Sequence, residues 1–157
     1  MKLNLGAGSD IKKGFINTDI IKFKGIDQIM DINKKFPFPS NHFNEILCFK
    51  ILEYSTDLQH SISELYRVAK NNCTIEITTP HHKSDGAFRN IRPITKDVAE
   101  NYLPKDSFKI LNVKCACKGK LRKLIPFKKF FSIFLWNIYD ELYLKVEILK
   151  KENGRTK

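Results

Sequence analysis

Apolar residues fall along this chain as short extended runs first and as helical stripes later. Lys2–Leu5 (KLNL) is one apolar run and Phe15–Asp19 (FINTD) is a second, closed by a carboxylate. Between them stands Gly6-Ala7-Gly8, where the missing Cβ atoms let backbone approach a ligand closely. Ile26–Met30 is a third run, closed by Asp31-Ile32, and Lys34–Asn41 (KKFPFPSN) is a proline-punctuated loop. Asn44–Phe49 (NEILCF) is nearly continuous, the pattern of a strand buried on both faces. Leu58, Ile62, Leu65 and Ala69 recur at helical spacing and predict an amphipathic helix over Asp57–Lys70. Ser55, Thr56 or Asp57 can cap its start, and Asn71-Asn72 can end it in a left-handed turn. Cys73–Thr79 (CTIEITT) is a β-branched strand stopped by Pro80. Further on, the pattern predicts a short helix over Thr95–Tyr102 and strands over Ser107–Cys117 and Leu142–Leu149. Leu121–Tyr139 is basic and aromatic, and its pattern predicts a helix beyond Pro126.

The order β-β-β-β-α-β-α-β-α-β predicts an α/β chain with a Rossmann-like, doubly wound, mostly parallel sheet and an antiparallel C-terminal strand. Such sheets take their ligand at the carboxyl ends of the strands. Ser9–Gly14 and Ile20–Gly25 are too short for crossover helices, which need a dozen or more residues, so few helices are expected on one face. No helix is expected before the first strand either. The face without helices should then be apolar and bare, a state that a soluble monomer seldom tolerates. Either the segment Phe127–Tyr139, with Phe131, Leu135, Trp136 and Ile138, folds over it, or a second copy of the chain does. A homodimer is the expectation. A membrane-surface helix is the rival use of that basic, aromatic segment.

Length sharpens this only slightly: 157 residues fit one domain, residues 1–80 as a cofactor-binding half and 81–157 as a substrate and oligomer half. No run of apolar residues is long enough to span a bilayer, and glycine and charge interrupt the N-terminus too early for a signal peptide. A cytoplasmic location is the default. Cys48, Cys73, Cys115 and Cys117 read mainly as small hydrophobes in strands, since Cys115-x-Cys117 lacks zinc-knuckle spacing and a second pair. The formal charge of +11 favours polyanionic partners such as nucleic acid, anionic lipid or an acidic protein. The abundance of Lys, Ile, Asn and Phe has a simpler source in AT-rich coding.

These segments together resemble the class I S-adenosylmethionine-dependent methyltransferases over about the first eighty residues. Leu3–Gly8 (LNLGAG) is similar to the family's first motif, and Gly14–Ile20 (GFINTDI) to its second strand and acid. Asp31-Ile32-Asn33 through Phe36–Pro39 resembles the segment that lines the adenine, and Phe43–Leu47 the fourth strand. Ile51-Leu52-Glu53-Tyr54 resembles the "vLEH" signature, Glu64–Lys70 the following helix, and Ile75–His81 the fifth strand with its end. The resemblance implies S-adenosylmethionine as cofactor, with Leu5, Gly6 and Gly8 against it and the glycines under its methionine part. It implies Asp19 on the ribose hydroxyls and Ile20 on the adenine. Asp31 would face the adenine amino group with Ile32 beside the ring, and Phe49 and Lys50 would lie near the sulfonium.

The chain departs from the family where Tyr54 replaces a histidine, where Asn71-Asn72 replaces Pro-Gly, and where Asn90-Ile91-Arg92 replaces an Asp-Pro-Thr-His stretch. A protonated acceptor needs a base, and Glu53, His81 and His82 are the catalytic candidates, with Tyr54 beside them at the substrate. Glu53 reads more readily as a structural acceptor at a helix start than as a base, and Tyr54 more readily as packing. Arg89 and Arg92 could clamp an anionic substrate or simply lie in a solvated loop. Lys50–Glu53 stands where amino-methylating DNA enzymes carry a Pro-Pro-Tyr-like segment, and there is no Pro-Cys pair, so DNA base chemistry of either kind is disfavoured. Protein amines, small metabolites, sugars and RNA remain as acceptors. Two readings of another class stand beside the enzyme: a scaffold without turnover, and a nucleic-acid-binding module built on Lys118–Lys129.

Overall fold

The computed structural model describes residues 1–80, 105–117, 126–128, 139 and 141–150. Seven strands form one sheet in the order β3-β2-β1-β4-β5-β7-β6. They are β1 (Lys2–Leu5), β2 (Ile16–Asp19), β3 (Gln28–Ile29), β4 (Phe43–Phe49), β5 (Ala69–Pro80), β6 (Phe108–Ala116) and β7 (Glu141–Ile148). The first five run parallel, and β7 lies antiparallel between β5 and β6. Chain direction therefore puts the ends of β1, β2, β4 and β5 on one edge, beside the start of β7. The predicted helix Thr95–Tyr102 and most of Leu121–Tyr139 lie outside the described residues.

Helix α1 (Leu58–Val68) begins where Asp57 accepts a hydrogen bond from the His60 N–H at 3.0 Å. It buries Leu58, Ile62, Leu65 and Val68. These join Leu3, Leu5, Ile46, Cys48, Ile75, Ile77, Leu144 and Val146 in one core. The helix stops earlier than its apolar stripe suggests. Ala69 pairs with Phe43 and is already in β5, so sheet pairing overrides the helical preference of Ala69 and Lys70. Asn72 does take positive φ (61°), but as an irregularity inside β5 and not as the helix cap. Glu64 and Arg67 of α1 hold the proline loop: Glu64 Oε2 accepts from the Phe36 N–H, and Arg67 donates to the carbonyls of Phe36 and Phe38. The Arg67 guanidinium holds the Glu64 carboxyl below its ordinary value.

The opposite face of the sheet corrects an expectation. It carries no bare apolar surface across β1, β4, β5 and β7. Strand register brings Lys2 beside Glu45, and Leu47 beside Asn4 and Glu76, which in turn neighbours Lys145. Lys2 and Glu45 form an ion pair at 2.7 Å, and Lys145 and Glu76 another at 2.8 Å. The alternation i, i+2 that fills the core face thus places polar residues on the other, and the run NEILCF hides it because Leu47 falls among them. Exposed apolar side chains gather elsewhere, on Ile20, Ile21, Phe23 and Ile29 around the β3 edge. The cysteines divide in the same way: Cys48 and Cys73 are buried, whereas Cys115 is exposed.

A polar network takes the place of the helix missing between β1 and β2. Asn17 is buried in β2. Its Oδ1 accepts from Asn4 Nδ2 (3.0 Å) and the Lys12 N–H (2.8 Å), while its Nδ2 donates to the carbonyls of Lys12 and Phe15. Asp27 accepts from the Asn17 N–H at 2.8 Å, which ties the β2–β3 link to the same point. One amide therefore satisfies the returning backbone of a link too short to satisfy itself. Asn17→Ala leaves these groups buried without partners, at about 1–3 kcal/mol each for those that water cannot reach. The expected outcome is a loss of at least about 2 kcal/mol in urea unfolding at pH 7, and an unchanged midpoint would contradict it.

Candidate functional site

At the carboxyl edge of the strands lies a cavity of about 290 Å³. Leu5 and Gly6 reach it from the end of β1, and Asp19 and Ile20 from the end of β2. Met30, Asp31, Ile32 and Asn33 reach it from the segment after β3, and Ile51 and Tyr54 from the segment after β4. Seven residues singled out in the sequence are thus brought together: Leu5, Gly6, Asp19, Ile20, Asp31, Ile32 and Tyr54. Met30 and Ile51 are additions, and Asn33 comes from the segment that resembled the adenine lining. Each adjoins a residue already singled out, and only the three-dimensional packing turns them toward the same space.

The cavity floor is a glycine turn under constraint. Gly6 has φ +66°, and a Cβ there would lie 2.6–2.8 Å from the Ile51 side chain. Gly6 is therefore required both by its backbone conformation and by the close approach of the β4 end. Gly8 has φ +52° but open space around it. It does not line the cavity; its N–H donates to Asp19 Oδ2 at 2.8 Å and sets the carboxylate against the turn. Asp19 Oδ1 accepts from the Ile21 N–H at 3.1 Å. A carboxylate has about four lone-pair positions, so Asp19 keeps acceptor capacity beyond these two bonds.

Asp31 and Asn33 build the far wall. Asp31 Oδ1 accepts from the Asn33 N–H at 2.9 Å, and Asn33 Oδ1 accepts from both the N–H and the hydroxyl of Thr56. That clasp joins the segment after β3 to the segment after β4 across the cavity. Tyr54 is about half exposed at the mouth. Apart from Tyr54 the lining side chains are aliphatic, with polar side-chain groups at Asp19, Asp31, Asn33 and the Tyr54 phenol.

A second group of residues sits on the β5 side of the same edge. Lys50 has φ +56°, donates its N–H to the Thr78 carbonyl at 2.7 Å, and pairs its ammonium with Glu141 at 2.8 Å. Glu53 lies in the 3-10 turn Leu52–Tyr54 and is 1% exposed. Burial pushes its carboxyl up to about 7; its own N–H, the Lys50 charge and the nearby Thr79 hydroxyl pull it down, and Glu141 raises it. Yet neither Glu53 Oε2 nor Thr79 Oγ1, both buried, has a hydrogen-bond partner of ordinary geometry among the described residues. Phe49 ends β4 half-buried, and neither it nor Lys50 lines the cavity. His81, His82, Arg89 and Arg92 lie outside the described residues.

No family model and no curated protein matches the chain. Solved structures match it closely in shape. A S-adenosylmethionine-dependent methyltransferase from Archaeoglobus fulgidus superposes with a TM-score of 0.68 at 14% identity, over 93% of this chain and 85% of that one. Another from Mesorhizobium loti gives a TM-score of 0.66 at 12% identity, over 93% of this chain and 89% of that one. The chain has the class I methyltransferase fold. The [4+2]-cyclase SpnF shares it too, with a TM-score of 0.68 at 13% identity over 96% of this chain and 74% of that one. At these identities the likeness concerns the fold.

The buried Glu53 carboxyl carries a stability signature. Its value in the fold, about 7, lies above the ordinary 4.5. Glu53 therefore favours folding most below pH 4.5, and that contribution is lost as the pH rises through 7. Glu53→Gln removes the loss and should stabilise the chain at pH 8 by up to about 3 kcal/mol relative to its effect at pH 4. Thermal unfolding at the two pH values measures the difference, and equal shifts would contradict it.

Proposed function

We propose that this chain is a methyltransferase that binds S-adenosylmethionine in the cavity and passes its methyl group to an acceptor entering from the β5 side. The observation that carries this reading is the convergence of Gly6, Asp19 and Asp31 on one aliphatic cavity at the carboxyl edge of a methyltransferase-fold sheet. The donor set suits the cofactor. Asp19 would accept the ribose hydroxyls, and Asp31 an exocyclic amine. Ile20 and Ile32 would cover the flat ring, and the turn at Leu5, Gly6 and Gly8 would admit the methionine part. Phe49, Lys50 and Tyr54 would border the reacting end. S-adenosylmethionine supplies an already activated methyl group, so the work left to these residues is positioning and exclusion of water. His81 and His82 as further catalytic groups, and Arg89 and Arg92 as an anion clamp, stay within this proposal on sequence alone.

The SpnF likeness favours keeping a second reading, since the same fold serves a cyclase. A catalytically silent protein-binding or nucleic-acid-binding module on this fold would bind no cofactor or bind it without turnover. The basic stretch 118–129 that would serve nucleic acid lies almost wholly outside the described residues. Among the described residues, no helix is long and apolar enough to cross a membrane. The cytoplasmic location stays a proposal on the sequence. So does the homodimer, whose apolar surface is now the β3 edge at Ile21, Phe23 and Ile29. Light scattering at micromolar concentration should return the dimer mass, and Ile29→Lys should halve it; a monomer throughout would remove the dimer.

Calorimetric titration with S-adenosylmethionine and with its demethylated product tests the main reading. Micromolar binding, weakened ten-fold or more in Asp19→Ala, is the expected result. Because Asp19 also anchors the Gly8 N–H, thermal unfolding of that variant must accompany the titration. A folded wild type that binds neither compound would overturn the cofactor reading.

A further inference from the structure

One polar side chain of the cavity has no task in holding a ribose or an amine. Asn33 lines the cavity from the segment after β3. Its Oδ1 accepts from the Thr56 N–H at 2.8 Å and from the Thr56 hydroxyl at 2.9 Å. A backbone N–H only donates, so the atom that faces it is the amide oxygen, and the two ends of this amide are not interchangeable. Thr56 follows β4, so one wall of the cavity sets the direction of the amide on the other. Asn33 Nδ2 carries two N–H groups for which no described residue is the acceptor, and Asn33 is only half-buried.

Asp31, two residues earlier, has the opposite character. Its Oδ1 accepts from the Asn33 N–H at 2.9 Å, which locks the two residues into one turn. Its Oδ2 lies 3.9 Å from the ammonium of Lys34, a loose pair whose lysine side chain is 80% exposed. An ionised carboxylate only accepts, and an amide nitrogen only donates. One turn thus offers both an acceptor and a donor, among the aliphatic side chains of Ile20, Met30 and Ile32. A flat ring between such walls matches the pair when it carries an amine beside a bare ring nitrogen. Adenine does so on both sides of its amine, toward N1 and toward N7. An oxo-purine puts a carbonyl oxygen where the amine stands, against the carboxylate.

We propose that Asn33 is a specificity-determining residue, whose Nδ2 donates to a ring nitrogen of the cofactor's base beside the exocyclic amine that Asp31 accepts. This rests on the S-adenosylmethionine reading of the cavity. Thr56 is the positioning residue, since its obligate donor keeps the nitrogen end of Asn33 turned to the ligand. The accepted chemistry is an aminopurine, and the rejected chemistry is an oxo-purine of the same size. Rejection has a physical cause. The oxo-purine sets an oxygen against Asp31 and, on its N1 edge, an N–H against Asn33, so polar groups taken out of water go unpaired. An Asn33 that served only to clasp the two walls together would leave the base unread and produce no such discrimination.

The test uses the full chain and four demethylated thioethers as probes. They are the adenosyl compound, its 1-deaza and 7-deaza forms, each with a C–H in place of one ring nitrogen, and the inosyl compound. In calorimetric titration the wild type should bind at least one deaza form about five- to ten-fold more weakly than the adenosyl compound, which also names the nitrogen that is read. The inosyl compound should bind about a hundred-fold more weakly. In Asn33→Ala and in Asn33→Asp the difference between the adenosyl compound and the sensitive deaza form should vanish. Asn33→Asp keeps an oxygen for both Thr56 donors and lacks only the NH2 group, so it separates reading the base from clasping the walls. Thermal unfolding of both variants accompanies the titrations. Equal binding of the adenosyl compound and both deaza forms by the wild type, or a deaza penalty that survives in either Asn33 variant, overturns this proposal and leaves the cofactor reading standing. Failure of a folded wild type to bind any of the four overturns the cofactor reading itself.

Discussion

A single buried amide makes the carboxyl edge of this sheet possible. Parallel neighbours normally need a helix between them to return the chain and to satisfy its backbone. The link between β1 and β2 has no room for one. Asn17 accepts and donates to that link, reaches Asn4 across the strand pair, and takes Asp27 onto its own N–H. Everything at the cavity leans on this. The glycine turn follows β1 directly, Asp19 lies two residues beyond Asn17, and the Gly8 N–H bond to Asp19 spans the same link. A local hydrogen-bond economy therefore sets where two of the three functional strand ends stand.

The strand ends that matter were legible because each carries a residue whose reason is local. Gly6 needs positive φ and space for Ile51, and Asp19 and Asp31 close short apolar runs. Loop shortness was legible too, and with it the scarcity of helices between the first four strands. The character of the uncovered face was not. Runs such as NEILCF look apolar on both sides, and only the register that sets Glu45 beside Lys2 and Lys145 across from Glu76 shows that face to be ion-paired. The end of α1 escaped for a related reason, since Ala69 and Lys70 suit a helix until pairing with Phe43 claims them for β5.

Glu53 marks the limit of reading residue types. Its place in a family-like signature suggests either a helix-start acceptor or a base, and nothing in the letters decides. Burial decides its electrostatics. The carboxyl is taken out of water beside Thr79, while Lys50 is already engaged by Glu141, and its affinity for a proton rises accordingly. Two acids in one edge thus have opposite characters. Asp19 accepts from two backbone N–H groups, whereas Glu53 has one buried oxygen without a hydrogen-bond partner among the described residues. That contrast separates a carboxylate anchored to the backbone from one held mainly by burial.

The antiparallel strand β7 has a consequence for how the chain assembles. It lies between β5 and β6, so β6 has no partner in the sheet until β7 arrives. During synthesis, residues 108–116 leave the ribosome well before residues 141–148 that will pair with them. Strands β1 to β5 and α1 carry most of the single core, which Phe108, Leu144, Val146 and Ile148 complete. The first half of the sheet is thus a template waiting for a hairpin-like insertion. Because Glu141 opens β7 and pairs with Lys50, the β5 side of the carboxyl edge is completed only when β7 joins the sheet.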